Sequence, residues 1–288
     1  MSQPSNHFVK NTILKLLGAI GSEKEIKKYI QKFSSPEQRF AVIKVGGSVI
    51  RDDLDNLITS LVFLNQVGLK PVILHGAGPM LSDQLEKDNI EFSFIDGQRV
   101  TSEKVRDVAQ KVFIETNKLI VDNLKKQNAK AVCIYKDVFN CAKGKSELGL
   151  VGNIQSVDVS KINDALENDM IPVISPLGLD NNNQAYNING DNAAGAIAKS
   201  LKSRRLLLMT NVEGVLDKNK KLIHEISSSK IIDMIKDGTI TEGMIPKINT
   251  CLDAINNGVT AAAIIDGRKK HSVLFEIFSD KGSGTLIR

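Results

Sequence analysis

Two lysines, one aspartate and two glycine loops are the residues of this chain whose types and spacing suit chemistry on phosphate. Lys44 lies near the end of the apolar run FAVIKV (40–45) and is followed by Gly46-Gly47. Paired glycines let a ligand come close to backbone amides and can take φ > 0 conformations closed to other residues, and a cation beside them is what stabilising a transferring phosphoryl group requires. His75-Gly76-Ala77-Gly78 forms a second loop ahead of a predicted helix, where free N–H groups face an anion. Asn187-Ile188-Asn189-Gly190-Asp191 precedes another helix, with Asp191 expected as its N-cap. Gly243-Met244-Ile245-Pro246-Lys247 puts a second lysine at a helix start, against the helix dipole, which points to an anion bound nearby. Each feature also has a plainer reading: a strand and tight turn, a structural histidine, a helix cap, a solvated lysine. The set argues for phosphate where no member does alone. The chain has no GxxxxGK[ST] loop, no GxGxxG opening a strand–helix unit and no kinase HRD or DFG set, so this chemistry needs another architecture.

The elements that must position these residues follow from periodicity. From Phe40 onward, short aliphatic runs alternate with helical patterns, the signature of a mostly parallel sheet covered by helices. Strands are expected at FAVIKVG (40–46), KPVIL (70–74), AKAVCIY (129–135), MIPVIS (170–175), RLLLM (205–209), AAAII (261–265) and 283–287. Helices are expected over 53–67, 80–89, 102–127, 161–168, from Asp191 onward, and over 226–237 and 246–257, with a break at Asp96-Gly97. Strands and hairpins fill 130–160. In an open parallel sheet, ligands sit at the carboxyl ends of strands, where these loops fall. Residues 8–34 read as two short helices, striped at Ile13, Leu16, Leu17 and Ile20 and then at Ile26, Tyr29, Ile30 and Phe33, closed by Ser34-Ser35-Pro36.

Bulk properties bound the partners. The 288 residues carry 38 basic and 33 acidic side chains, a modest excess of +5 that suits small anions and does not argue for nucleic acid. With no Trp and 5% aromatic residues, a base-stacking surface is not indicated. Cys133, Cys141 and Cys251 lack zinc-type spacing and are expected as reduced thiols. No apolar run reaches membrane-span length and the N-terminus lacks a secretory pattern, so a cytoplasmic protein with no membrane partner is expected.

IKVGGS (43–48), LHGAGPML (74–81), DGQRVT (96–101), GLVG (149–152), YNINGDNAA (186–194), MTNVEGVL (209–216), EGMIPKI (242–248) and GSGTLI (282–287) together resemble the amino-acid kinase family. The resemblance is to its arginine-pathway branch, which phosphorylates the γ-carboxylate of N-acetyl-L-glutamate with ATP. It implies a three-layer αβα sandwich over 37–288, with an acetylglutamate lobe (about 37–180) and an ATP lobe (about 181–288), preceded by a helical arm over 1–36. It implies that Lys44 and Lys247 flank the transferred phosphoryl group, with Asp191 orienting both. Gly46, Gly47, Gly76, Ala77 and Gly78 are to supply backbone amides. Arg99, Asn187 and Asn189 are to hold acetylglutamate, Arg99 through a bidentate fork. Thr210, Asn211, Gly214, Leu216, Gly243 and Met244 are to lie against ATP, with Mg²⁺ carried by the phosphates and no protein metal site.

Three departures stand out: Glu242-Gly243 replaces the family's Gly-Gly, Ala77 stands within the HGGG-type loop, and Asn211 replaces a common Asp. The arm resembles that of arginine-inhibited members, where it links dimers, and the leader of kinase domains in bifunctional synthase/kinases. The chain ends at Arg288, so no acetyltransferase domain is expected. This implies a dimer-based homo-oligomer, hexamer or tetramer, and L-arginine inhibition through Tyr29, His271, Glu276 and Gly282. The alternatives are a related carboxylate or acetylaminoadipate kinase, or an arginine-sensing kinase-like module. The latter would lack a catalytic lysine or Asp191, and all three residues are present.

Overall fold

Short runs of β-branched and aliphatic residues form the strands, and the stripes between them form helices that cover both faces of the sheet. The structure, a computed structural model, describes residues 39–240, 243–279 and 281–288. The two helices expected over 8–34, with Tyr29, lie outside the described residues, as does Glu242. In chain order the elements begin with β1 (Ala41–Val45), α1 (Gly47–Asp52), α2 (Leu54–Gln66), β2 (Pro71–His75), α3 (Gly78–Lys87), β3 (Phe94–Ile95), β4 (Gln98–Arg99) and α4 (Glu103–Lys126). They continue with β5 (Ala131–Ile134), β6 (Phe139–Lys143), β7 (Gly152–Val157), α5 (Ser160–Glu167), β8 (Ile171–Ile174), β9 (Leu177–Leu179), β10 (Ala185–Asn187) and α6 (Gly190–Ser200). The last are β11 (Arg205–Thr210), β12 (Glu225–Ile226), α7 (Ser228–Lys236), α8 (Ile245–Asn256), β13 (Ala261–Asp266), α9 (Ser272–Phe278) and β14 (Gly284–Ile287).

The eight-stranded main sheet runs β12-β14-β13-β11-β1-β2-β8-β5. Its neighbours are parallel except β13 and β14. From β1 the sheet extends on one side through β2, β8 and β5, with β8 inserted between β2 and the earlier β5, and the chain then returns to lay β11 on the other side of β1. That reversal is a topological switch point, and it opens a crevice at the carboxyl ends of β1, β2 and β11.

Alternation along β1 decides what faces what. Ala41, Ile43 and Val45 enter the core shared with α1, α2 and α9, while Val42 faces the core built with α6, α7 and α8. Lys44 shares the parity of Val42, and its register partners Leu74 and Leu208 both belong to that second core. The lysine is thus directed to the face covered by α6 and α8.

The structure departs from the sequence-based expectation in a few places. A second, four-stranded sheet, β10-β9-β6-β7, stands beside the main one, and the segment after β8 supplies the hairpin β9–β10. The expected break at Asp96-Gly97 is the turn of hairpin β3–β4, both residues at positive φ (49° and 73°). An Asp-Gly pair between extended residues carries that hairpin signal, which the short strands obscured. Helix α1 starts directly at Gly47, and α9 forms where no helix was assigned, because each is too short for periodicity to register.

Candidate active site

Asp191 lies in the first turn of α6 and Lys247 in the first turn of α8, helices that pack side by side over the end of β1. Lys247 Nζ donates to Asp191 Oδ2 at 2.5 Å, and Lys44 Nζ pairs with Oδ1 at 2.9 Å without hydrogen-bond alignment. Burial raises the carboxyl's pKa, but the attraction of Lys44 and then Lys247 outweighs it and holds Asp191 at about 2. One carboxylate thus gathers two ammonium groups at the mouth of the switch-point crevice. The anion that the unfavourable helix position of Lys247 called for includes this carboxylate.

Asp191 is not the helix cap expected from the sequence. Asn189 is: its Oδ1 accepts from the amides of Asp191 and Asn192 at 2.9 and 3.1 Å. The cap one position before Gly190 leaves the Asp191 carboxylate free to reach the lysines. Asn189 still lines the crevice, with its carbonyl oxygen engaged in the cap.

The glycine loops meet the lysines across the crevice, a cleft of about 460 Å³ lined by Lys44, Gly46, Gly47, Gly76, Ala77, Gly78, Arg99, Asn187, Asn189, Asp191, Thr210, Asn211 and Lys247, among others. Two details correct the expectation. Neither Gly46 nor Gly47 has positive φ, so their value lies in close approach: a Cβ on Gly47 would stand 2.7 Å from Pro79 Cδ and 3.0 Å from the Gly78 amide nitrogen. The amide of Gly76 donates to Val45 O at 2.7 Å, tying the two loops together, so Gly76 shapes the cleft without offering its N–H. Because Pro79 is a rigid ring and Gly78 is backbone, Gly47→Ala is expected to destabilise the fold by about 1–3 kcal/mol. Thermal unfolding checks this; an unchanged melting temperature would show that the loops separate without cost.

At the far side of the cleft, Arg99 is only 7% exposed and its guanidinium lies over the rings of Phe92 and Phe94, 4.4 and 4.6 Å from their centroids. Its Nη2 donates to Ser82 Oγ (2.7 Å) and Gly78 O (3.2 Å), while the buried Nη1 has no partner. A rigidly held guanidinium with an unsatisfied donor in a cleft is suited to an anionic ligand. Phe92, Phe94 and Ser82 were missed from the sequence. The alternation Phe92-Ser93-Phe94 before Asp96-Gly97 was the available signal.

His75 has the structural role that its place at a strand end allowed. It is fully buried, its Nε2 faces Ser175 Oγ at 3.1 Å, and Asn117 also donates to that hydroxyl. Burial pushes the imidazole down to about 3, so it stays neutral.

Gly214, Leu216, Gly243 and Met244 do not line the cleft. Gly214 sits against Thr285, whose hydroxyl accepts from the Val215 amide at 2.8 Å; Leu216 bridges to Leu222; Gly243 is exposed; and Met244 is the N-cap residue of α8. Of the expected effector residues, Gly282 (φ 65°) is pressed on the Glu276 carboxylate, which accepts from the Ser283 amide at 2.9 Å. His271, at the other end of α9, has its Nδ1 3.0 Å from Ser60 Oγ.

A switch-point cleft holding two lysines on one aspartate belongs to a phosphoryl-transfer scaffold outside the Walker type. The chain belongs to the amino acid kinase family, whose model matches residues 39–266. It is 44% identical over 269 residues to the acetylglutamate kinase of Pelagibacter ubique strain HTCC1062, covering 92% of each chain. With the acetylglutamate kinase of Jannaschia sp. strain CCS1 it is 43% identical over 270 residues, covering 92% of this chain and 94% of that one. The fold also superposes on an N-acetylglutamate synthase from Neisseria gonorrhoeae complexed with coenzyme A and N-acetyl-glutamate (TM-score 0.83, 21% identity), covering 92% of this chain and 62% of that longer one.

Proposed function

We propose that the protein is an acetylglutamate kinase, transferring the terminal phosphoryl group of ATP to the γ-carboxylate of N-acetyl-L-glutamate in arginine biosynthesis. The observation that carries this reading is the pairing, across one cleft, of the Lys44–Asp191–Lys247 cluster with a buried guanidinium that has a donor to spare. The acceptor carboxylate is ionised at neutral pH, so no general base is required. The bond from the γ-phosphorus to the ADP oxygen breaks as the bond to the carboxylate oxygen forms, giving N-acetyl-L-glutamyl 5-phosphate and ADP. Lys44 and Lys247 neutralise charge on the oxygens as it moves, and Asp191 keeps both ammonium groups in place before substrate arrives. Arg99, Asn187 and Asn189 hold acetylglutamate in the cleft with the Ala77 and Gly78 amides; Gly46, Gly47, Thr210 and Asn211 meet ATP there.

Gly214 and Leu216 act on ATP by shaping the loop after Thr210, and Gly243 and Met244 by starting α8. Among the described residues lining the cleft, Asp191 is the sole carboxylate and is paired to two lysines, so these residues form no cage for Mg²⁺. The Mg²⁺ that accompanies ATP is carried by its phosphates. L-Arginine inhibition, through Tyr29, His271, Glu276 and Gly282, and a dimer-based homo-oligomer complete the reading. The partly buried Glu276 carboxylate and the outer edge of β5, which ends the main sheet, support these two parts.

The test is ATP-dependent acyl-phosphate formation, trapped as hydroxamate, from acetylglutamate, acetylaminoadipate and aspartate, with and without millimolar arginine. Acetylglutamate is expected to be the preferred substrate and arginine to depress its turnover. Preference for either other acid would overturn the substrate, and unchanged turnover with arginine would overturn the regulation.

A further inference from the structure

Thr101 links the backbone of Arg99 to the side chain of Asn187, two residues that line the cleft. It is fully buried, and its hydroxyl donates to Arg99 O at 2.9 Å. The Thr101 hydroxyl oxygen in turn accepts from Asn187 Nδ2 at 3.2 Å. A hydroxyl has one proton. With that proton held by a carbonyl, only lone pairs remain for Asn187, so the carboxamide must present its nitrogen to Thr101. Its Oδ1 is thereby turned the other way, to the cleft that Asn187 lines.

The backbone fixes the same unit. Thr101 N donates to Leu148 O (2.9 Å), Leu150 N to Thr101 O (2.7 Å) and Asn187 N to Leu150 O (3.0 Å). Gly149 makes this strap possible: its φ is 69°, and a Cβ there would lie 2.5 Å from Thr101 O. The GLVG stretch, which the phosphoryl-transfer cluster leaves without a role, thus ties β4 to β10.

We propose that Thr101 is a positioning residue that sets substrate choice. It locks Asn187 with Oδ1 as an acceptor for the amide N–H of an acylated amino acid, in the cleft that Arg99 also lines. The inference rests on the acetylglutamate reading and adds to it the requirement for an N–H at the acylated position.

The probe is 2-acetoxyglutarate, in which an ester oxygen replaces the amide N–H and both carboxylates remain. The wild-type enzyme is first assayed with acetylglutamate, and absence of turnover there would refute the functional reading itself and this inference with it. Given turnover, kcat/KM is expected to favour the amide over the ester by at least about tenfold, because the ester leaves Oδ1 unpaired against another acceptor. In Thr101→Val the preference should fall to about twofold or less, through a raised KM for acetylglutamate with KM for ATP unchanged. Thr101→Ser should restore it. A wild-type enzyme that accepts both substrates equally would overturn the proposal, as would a valine variant that keeps the full preference or loses both substrates in the same proportion. The wild-type ratio and the serine variant keep the test decisive should the valine variant fail to fold.

Discussion

Replacing Lys44 with alanine is expected to lower kcat by about a thousandfold or more, the range seen when a preorganised cationic or hydrogen-bonding group is removed from a phosphoryl- or acyl-transfer site. The reason is geometric. Lys44 has 13% of its side chain exposed, is aimed by the parity of β1 at the face holding Asp191, and stands beside Gly46 and Gly47 at the carboxyl end of the strand. Its charge is therefore in position before the reaction begins, with little water to screen it. The fold should survive, since Asp191 retains its 2.5 Å partner Lys247 and no buried carboxylate is left alone. Steady-state kinetics and a melting curve on the same preparation separate the two effects. Lys44→Ala with near-normal turnover would refute the assigned role, whereas a collapse of both turnover and melting temperature would reveal a mainly structural lysine.

Asp191→Asn is expected to damage both activity and stability, which distinguishes it from the lysine variant. It removes the single negative charge between two ammonium groups, and breaking a buried pair of this kind costs about 3–5 kcal/mol. The lysines would repel one another away from the positions that phosphate requires, so kcat should fall by about a hundredfold or more. Added inorganic phosphate should raise the melting temperature of the variant more than that of the wild type, because an anion replaces the lost carboxylate. Equal shifts in both proteins would contradict this account.

The same carboxylate sets an acid dependence. Its folded-state pKa, about 2, lies below the ordinary 3.8, so the folded protein binds its proton less readily than the unfolded chain. The corresponding stability, about 2 kcal/mol, is fully present above the ordinary value and is lost as pH falls through the folded one. Between about pH 4 and about pH 2 the wild type should therefore lose about 2 kcal/mol of its advantage over Asp191→Asn, as denaturant titrations would show.

Much of this was legible in the chain. Alternation of aliphatic runs with helical stripes marked a mostly parallel sheet covered by helices, because that signal depends on local periods of 2 and 3.6 residues. Glycine loops at strand ends and a lysine set against a helix dipole marked the cleft for the same local reason. Which partner each polar group finds is another matter, since that depends on sheet order and on segments remote in sequence. The return of β11 beside β1 brings Asp191 to Lys44, and the packing of α8 on α6 brings Lys247 to both. Only the folded chain made Asn189 the cap instead of Asp191, occupied the Gly76 amide with Val45, and set Arg99 against the rings of Phe92 and Phe94. Thr101 shows the divide most plainly. Its residue type permits a hydroxyl to donate and accept, but only the strap at Gly149 and the approach of β10 determine that it donates to Arg99 and accepts from Asn187.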